Sequence, residues 1–255
     1  SGLILAGIVC WGATETNPPA AIHSILLVQE PQASAVERRI GQVLTDRIRS
    51  QATVEIGVDS TRKPGADLYI HLGRVRGSGD LQELCAKHKV QLPGKATPNP
   101  EGFAVKTVQE GPDRVVIVAG ADDRGVLYGC GEILRRMRFA ADHVELPPTD
   151  VSTSPGFRFR GFSANQGGTM LAATKARHWT QTELQGVVLD YALAGGNCFY
   201  CEDQPGPLYE FLKSFSLMTT TGARPNRLSG GHPKEWTAGG REAWEGTQWV
   251  CPSIP

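Results

Sequence analysis

Between Glu101 and Phe139 the apolar and polar positions fall into three successive rhythms. Phe103, Val105 and Thr107 alternate with Ala104 and Lys106, the period-two pattern of a strand with one buried face. The run from Val115 to Ala119 is apolar at every position and predicts a central strand covered on both faces. Glu110-Gly111-Pro112-Asp113 supplies turn chemistry between the two, so they are expected to close a hairpin. Asp122 then stands where a helix N-cap belongs, and Val126, Cys130, Ile133, Leu134 and Met137 recur at helical spacing.

The same reading extends upstream. Ser24 to Val28 is a short apolar run of buried-strand type, and Ser34 with Glu37 forms a capping box ahead of Val36, Ile40, Val43, Leu44 and Ile48. Thr53 to Gly57 and Ala66 to Gly73 predict two further strands, Asp80 to Lys89 a short helix, and Gln91 to Pro100, with three prolines, a loop. Residues 1–19 read as a signal-like apolar segment and linker, and residues 20–140 predict a small α+β domain, a mixed sheet with packed helices. Residues 141–155 read as an irregular linker, marked by Pro147-Pro148 and Ser152-Thr153-Ser154-Pro155.

Beyond the linker the grammar changes. Phe157 to Phe162 predicts a strand, Thr180 with Glu183 a second capping box, and Leu184, Val187, Val188, Tyr191 and Ala192 one helix face. Gly195-Gly196 stops that helix, Asn197 to Cys201 predicts the next strand, and Leu208 to Leu217 a further helix. Strand, long loop, helix and strand make a βα unit feeding a parallel neighbour, the repeating element of a TIM barrel. Thr219 to Pro255 shows no clear period. Residues 156–255 thus predict the first units of an incomplete (β/α) TIM barrel, since a closed one needs on the order of 250 residues. The expectation is a fragment of a longer protein.

The whole chain has 255 residues, a 40% hydrophobic and 20% charged composition and a formal net charge of zero. A nucleic-acid partner needs clustered positive charge, and none is present. Leu3 to Ala13 is apolar but too short to span a bilayer, so no integral membrane span is expected. That run resembles the hydrophobic part of a secretory signal, which implies a secreted or periplasmic protein; a buried first strand is the alternative. The six cysteines do not form a disulfide framework. Cys198-Phe199-Tyr200-Cys201 is a CxxC, but a strand sends the two sulfurs to opposite faces, which favours core packing over a metal or redox pair. Gly120 to Gly125 lacks the spacing of a nucleotide-binding loop, and no cofactor is expected.

The strings EGFAVKT and RVVIVAGADDRGVLYG resemble the end of the small α/β domain that precedes the catalytic barrel in bacterial β-hexosaminidases, O-GlcNAcase-like enzymes and α-glucuronidases. Pro155 to Phe162 is similar to the segment that opens the barrel in those families. The resemblance implies a glycosidase that cleaves O-glycosidic bonds by paired-carboxylate acid catalysis, with an oligosaccharide or polysaccharide as partner. It also implies that Arg160, in the pair Arg160-Gly161, binds sugar hydroxyls; a structural ion pair is the other role open to it.

Asn165 follows that strand, and Glu202 and Asp203 follow the next, where barrel enzymes meet their ligands. Either carboxylate can bind a hydroxyl or cap a helix, but as chain neighbours they point apart and cannot be the catalytic pair. Glu202-Asp203-Gln204 and Ser163-Ala164-Asn165-Gln166 both depart from the family patterns, and the families' catalytic carboxylates fall on later strands. The expected alternative is a carbohydrate-binding or scaffold protein that keeps the fold without the chemistry.

Overall fold

The computed structural model describes residues 20–75, 79–95, 97–163, 180–200 and 207–220. In the first part of the chain, strands β1 (Ser24–Val28), β2 (Glu55–Asp59), β3 (Leu68–Arg74), β4 (Phe103–Glu110), β5 (Asp113–Gly120) and β8 (Asp150–Thr153) form one sheet in the order β2-β1-β3-β5-β4-β8. The first four in that order are parallel. β4 runs antiparallel to both β5 and β8, so the sheet is mixed.

The expected hairpin is present, with Glu110 paired to Asp113 and Gly111 at φ +61°. That positive φ is what the first central position of a two-residue hairpin turn demands. β5 is central, and Val115 to Ala119 are all buried.

Side chains of β3 alternate between two cores. Leu68, Ile70 and Leu72 face helices α1 (Ala35–Arg49) and α3 (Asp123–Arg136), whereas Tyr69 packs with Leu81, Leu84 and Cys85 of helix α2 (Gly79–Lys87) on the other face. The sheet is therefore covered by α1 and α3 on one side and α2 on the other.

α1 begins with the predicted capping box: Ser34 Oγ accepts from the Glu37 amide at 3.1 Å, and Glu37 Oε2 accepts from the Ser34 amide at 2.8 Å. Glu37 is 4% exposed, and its Oε1 also accepts from the Arg74 amide at 2.9 Å, so one carboxylate ties the start of α1 to the end of β3.

Burial raises the Glu37 pKa, but the backbone bonds from Ser34 and Arg74, with the Arg74 charge, outweigh it and hold the group below its ordinary value. A depressed carboxylate contributes stability above its unfolded pKa of about 4.3, and that contribution is lost as pH falls through the folded value. Urea midpoints are accordingly expected to drop as pH is lowered from about 5, and Glu37→Gln to flatten that slope. An unchanged slope in the variant would remove Glu37 from the acid response.

The later part of the chain is a run of β9 (Gly161–Ser163), α4 (Gln181–Leu193), β10 (Cys198–Tyr200), α5 (Pro207–Lys213) and β11 (Met218–Thr220). β10 pairs in parallel with β9 on one side and β11 on the other. α4 carries the expected capping box on Thr180 and Glu183 and packs against α3. α3 is consequently buried beyond a single face, with Gly125 to Gly131 all inaccessible, because it lies between the sheet and a second helix.

Three boundaries differ from the sequence expectation. The linker at 141–155 is not irregular: Val144–Glu145 (β7) pairs with Arg138–Phe139 (β6), and β8 extends the six-stranded sheet. Burial of Val144 and Leu146 anchors this stretch just ahead of its proline pair. The strand expected from Phe157 starts only at Gly161, and Phe157 is 77% exposed. β11 lies across the start of the stretch without a period, where three residues are too few to show one.

Candidate functional site

The parallel unit has two edges, and the polar side chains described in it gather at the amino edge. Asn197, just ahead of β10, is fully buried. Its Oδ1 accepts from the Arg160 amide at 2.8 Å, and its Nδ2 donates to Glu101 Oε1 at 2.9 Å and to the Arg158 carbonyl at 2.8 Å.

Glu101 ends the proline-rich loop at φ +60° and is 5% exposed. Its amide donates to Asp122 Oδ2 at 2.9 Å, while Asp122 Oδ1 caps α3 through the Gly125 amide. The Glu101 carboxylate takes ion pairs from Arg124 Nε at 3.0 Å and from Arg160 Nη2. Arg160 Nη2 also donates to the Tyr128 hydroxyl at 3.0 Å, and that hydroxyl donates to the Gly196 carbonyl at 3.3 Å. Burial, followed by the Glu101 charge, raises the Tyr128 pKa and keeps the phenol protonated.

Arg160 therefore stands at the amino end of β9 with its guanidinium turned into the seam between the two units. Nε donates to the Gly195 carbonyl, Nη1 to the Phe157 carbonyl, and Nη2 to Glu101 and Tyr128, so four of its five N–H groups are engaged within the protein. This is the geometry of the structural ion pair rather than of a side chain reaching for a sugar. In parallel α/β folds, ligands meet the carboxyl ends of the strands, and β9 puts about 10 Å between its two ends.

Asn165, Glu202 and Asp203 lie outside the described residues, as do Gly167-Gly168 and His178-Trp179. They follow β9 and β10 at Ser163 and Tyr200, the carboxyl ends. Cys85 and Cys130 are free and buried, and Cys198 is buried; Cys201 is outside the described residues. Burial pushes the Cys85 thiol up to about 11, which suits a packing role. Among the described residues no cluster of His, Cys, Asp and Glu could hold a metal.

The sequence pattern assigns Glu101, Tyr128 and Asn197 to elements but gives none of them a site role. Glu101 gave one signal, an acidic residue at the mouth of a strand whose neighbours are apolar, but its partners are 59 and 96 residues away.

No protein-family model and no curated protein matches the chain. Solved structures do. A family GH115 4-O-methyl-α-glucuronidase with specificity for decorated arabinogalactans superposes at a TM-score of 0.55 with 13% identity, over 89% of this chain and 33% of that one. The protein CpGH84D gives 0.53 with 13% identity, over 88% of this chain and 37% of its own. A Streptomyces plicatus β-hexosaminidase gives 0.48 with 10% identity, over 80% and 44%. The chain thus has a glycoside hydrolase-like α/β fold and spans about a third of the length of the first two proteins. No helix among the described residues is long and apolar enough to cross a membrane.

Proposed function

We propose that the chain is the amino-terminal portion of a glycoside hydrolase, an α/β accessory domain followed by the first three strands of a TIM barrel. The observation that carries this reading is the parallel β9-α4-β10-α5-β11 run docked on the mixed-sheet domain, an arrangement shared over 89% of the chain with the family GH115 α-glucuronidase. The complete enzyme would cleave an O-glycosidic bond, of β-hexosaminide or α-glucuronide type, with a pair of carboxylates supplied by later strands. Asn165, Glu202 and Asp203, which follow β9 and β10 in the chain, would line the sugar site. Arg160 supports them from the opposite edge by fixing the amino ends of the same strands.

The test is to express the complete gene and assay its product on nitrophenyl N-acetyl-β-glucosaminide and on a 4-O-methylglucuronosyl oligosaccharide. Turnover is expected on one of the two, and Glu202→Ala with Asp203→Ala is expected to raise KM about tenfold or more, as loss of a charged hydrogen bond does. A well-folded product that turns over neither substrate, even if it binds sugar, overturns the hydrolase reading.

A further inference from the structure

The face of the six-stranded sheet that carries α2 holds a cavity of about 310 Å³. Its place follows from the topology. β1 and β3 are neighbours, with Val28 opposite His71. β1 sends the chain to α1 and then to β2 on one side, whereas β3 sends it through α2 to the β4–β5 hairpin, whose β5 pairs on the other. α1 and α2 lie on opposite faces of the sheet. A parallel sheet opens a crevice where adjacent strands part in this way, and such crevices bind ligands. Val28 and His71 both line the cavity.

The cations of the lining are already engaged. Glu110 takes an ion pair from Lys87 Nζ at 2.6 Å and makes a hydrogen-bond contact with His88 Nε2, and Arg62 reaches Asp113 at 3.3 Å. A phosphate would have to break these pairs to find a cation, while Asp80 and Glu83 stay exposed as carboxylate acceptors.

What the cavity offers beside these pairs is hydrogen bonding. His71 Nε2 is buried and has no partner among the described residues. Burial, reinforced by the Arg62 charge, lowers the pKa of that imidazole to about 4, so the ring is neutral at neutral pH. A neutral imidazole nitrogen is either a donor or an acceptor according to its tautomer, and a ligand hydroxyl can answer both. Asp80 and Glu83 on α2 accept from hydroxyls, Ser60 and Thr61 do either, and Val28 with Leu84 gives apolar surface for the C–H face of a ring.

We propose that this cavity binds a single neutral sugar unit through its hydroxyls, at a site separate from the loops of the parallel unit and independent of the hydrolase reading. The volume is near the lower limit for small-molecule pockets, which fits one ring rather than a chain.

The test is an amide NMR titration of this chain with glucose, galactose and N-acetylglucosamine, and separately with cello- and chito-oligosaccharides. Inorganic phosphate and spermidine serve as charged probes. Saturable shifts on α2, β3 and residues 60–62 are expected for at least one neutral sugar, at a Kd of about 1 mM. Asp80 and Glu83 are exposed, so Asp80→Ala with Glu83→Ala should keep the thermal midpoint and weaken the sugar about tenfold. Equal response to the oligosaccharides would make the natural source a polymer end, and response to monosaccharides alone a free sugar. The proposal fails if no neutral sugar shifts these amides, if phosphate or spermidine does so instead, or if the double variant binds as before.

Discussion

Replacing Glu101 with alanine is expected to destabilise the protein by about 3–5 kcal/mol, the cost of removing one partner from a buried ion pair. Its carboxylate side chain is 7% exposed, and the two guanidinium groups on it, from Arg124 and Arg160, are 23% and 19% exposed. Water cannot readily replace an acceptor at that depth, so two cations and the Asn197 amide are left short of partners. Alanine keeps the Cβ, and with it the cost of φ +60° at this position, so the measured difference reports the carboxylate and not the backbone. Glu101→Gln, which keeps the shape and loses the charge, should lie between the two. Urea unfolding followed by circular dichroism measures all three. In a double-mutant cycle with Arg160→Ala the two changes should be strongly non-additive, because they remove the same interaction. A loss below about 1 kcal/mol for Glu101→Ala would class the network with surface ion pairs, which contribute little.

The features visible in the sequence are those carried by neighbouring residues. The two capping boxes, the Asp122 cap and the Glu110–Asp113 turn each lie within four residues and appear where expected. The parallel pairing of β9 with β10 was also legible, because a helix between two short strands leaves little other choice. The site was less legible because the residues that build the seam are brought together only by docking α3 against α4. Arg160 stood out as chemistry, yet its partner Glu101 is 59 residues away in a segment that reads as the start of a strand. His71 was equally silent: in Leu68–Arg74 it is one polar residue in an apolar strand, and the topology, not the pattern, puts it at a parting of β1 and β3. The edge strand β8 was hidden by the prolines before it, which disfavour sheet interiors but are compatible with an edge.

Gly131→Ala is expected to destabilise by about 1–3 kcal/mol, although alanine is the better helix former by about 1 kcal/mol. A Cβ at Gly131 would come within 1.9 Å of the Leu193 carbonyl oxygen and 2.7 Å of its carbon, both backbone atoms that cannot rotate aside. α3 and the end of α4 must therefore separate. The movement strains more than one contact, since the Leu193 carbonyl accepts from Arg135 Nη1 at 2.9 Å and the next turn presents the Gly195 and Gly196 carbonyls to Arg160 and Tyr128. Gly186→Ala is the matched control: it lies in α4, a Cβ there meets nothing within 4 Å, and it should stabilise by up to about 1 kcal/mol. Thermal unfolding of the two variants is thus expected to move in opposite directions from the wild type. If both rise, the α3–α4 seam has slack enough to admit a methyl group, and the Glu101 network must hold the two units in register without help from helix packing. If Gly131→Ala falls alone, close backbone approach and the buried carboxylate act together, which makes the mixed-sheet domain and the parallel unit one rigid body.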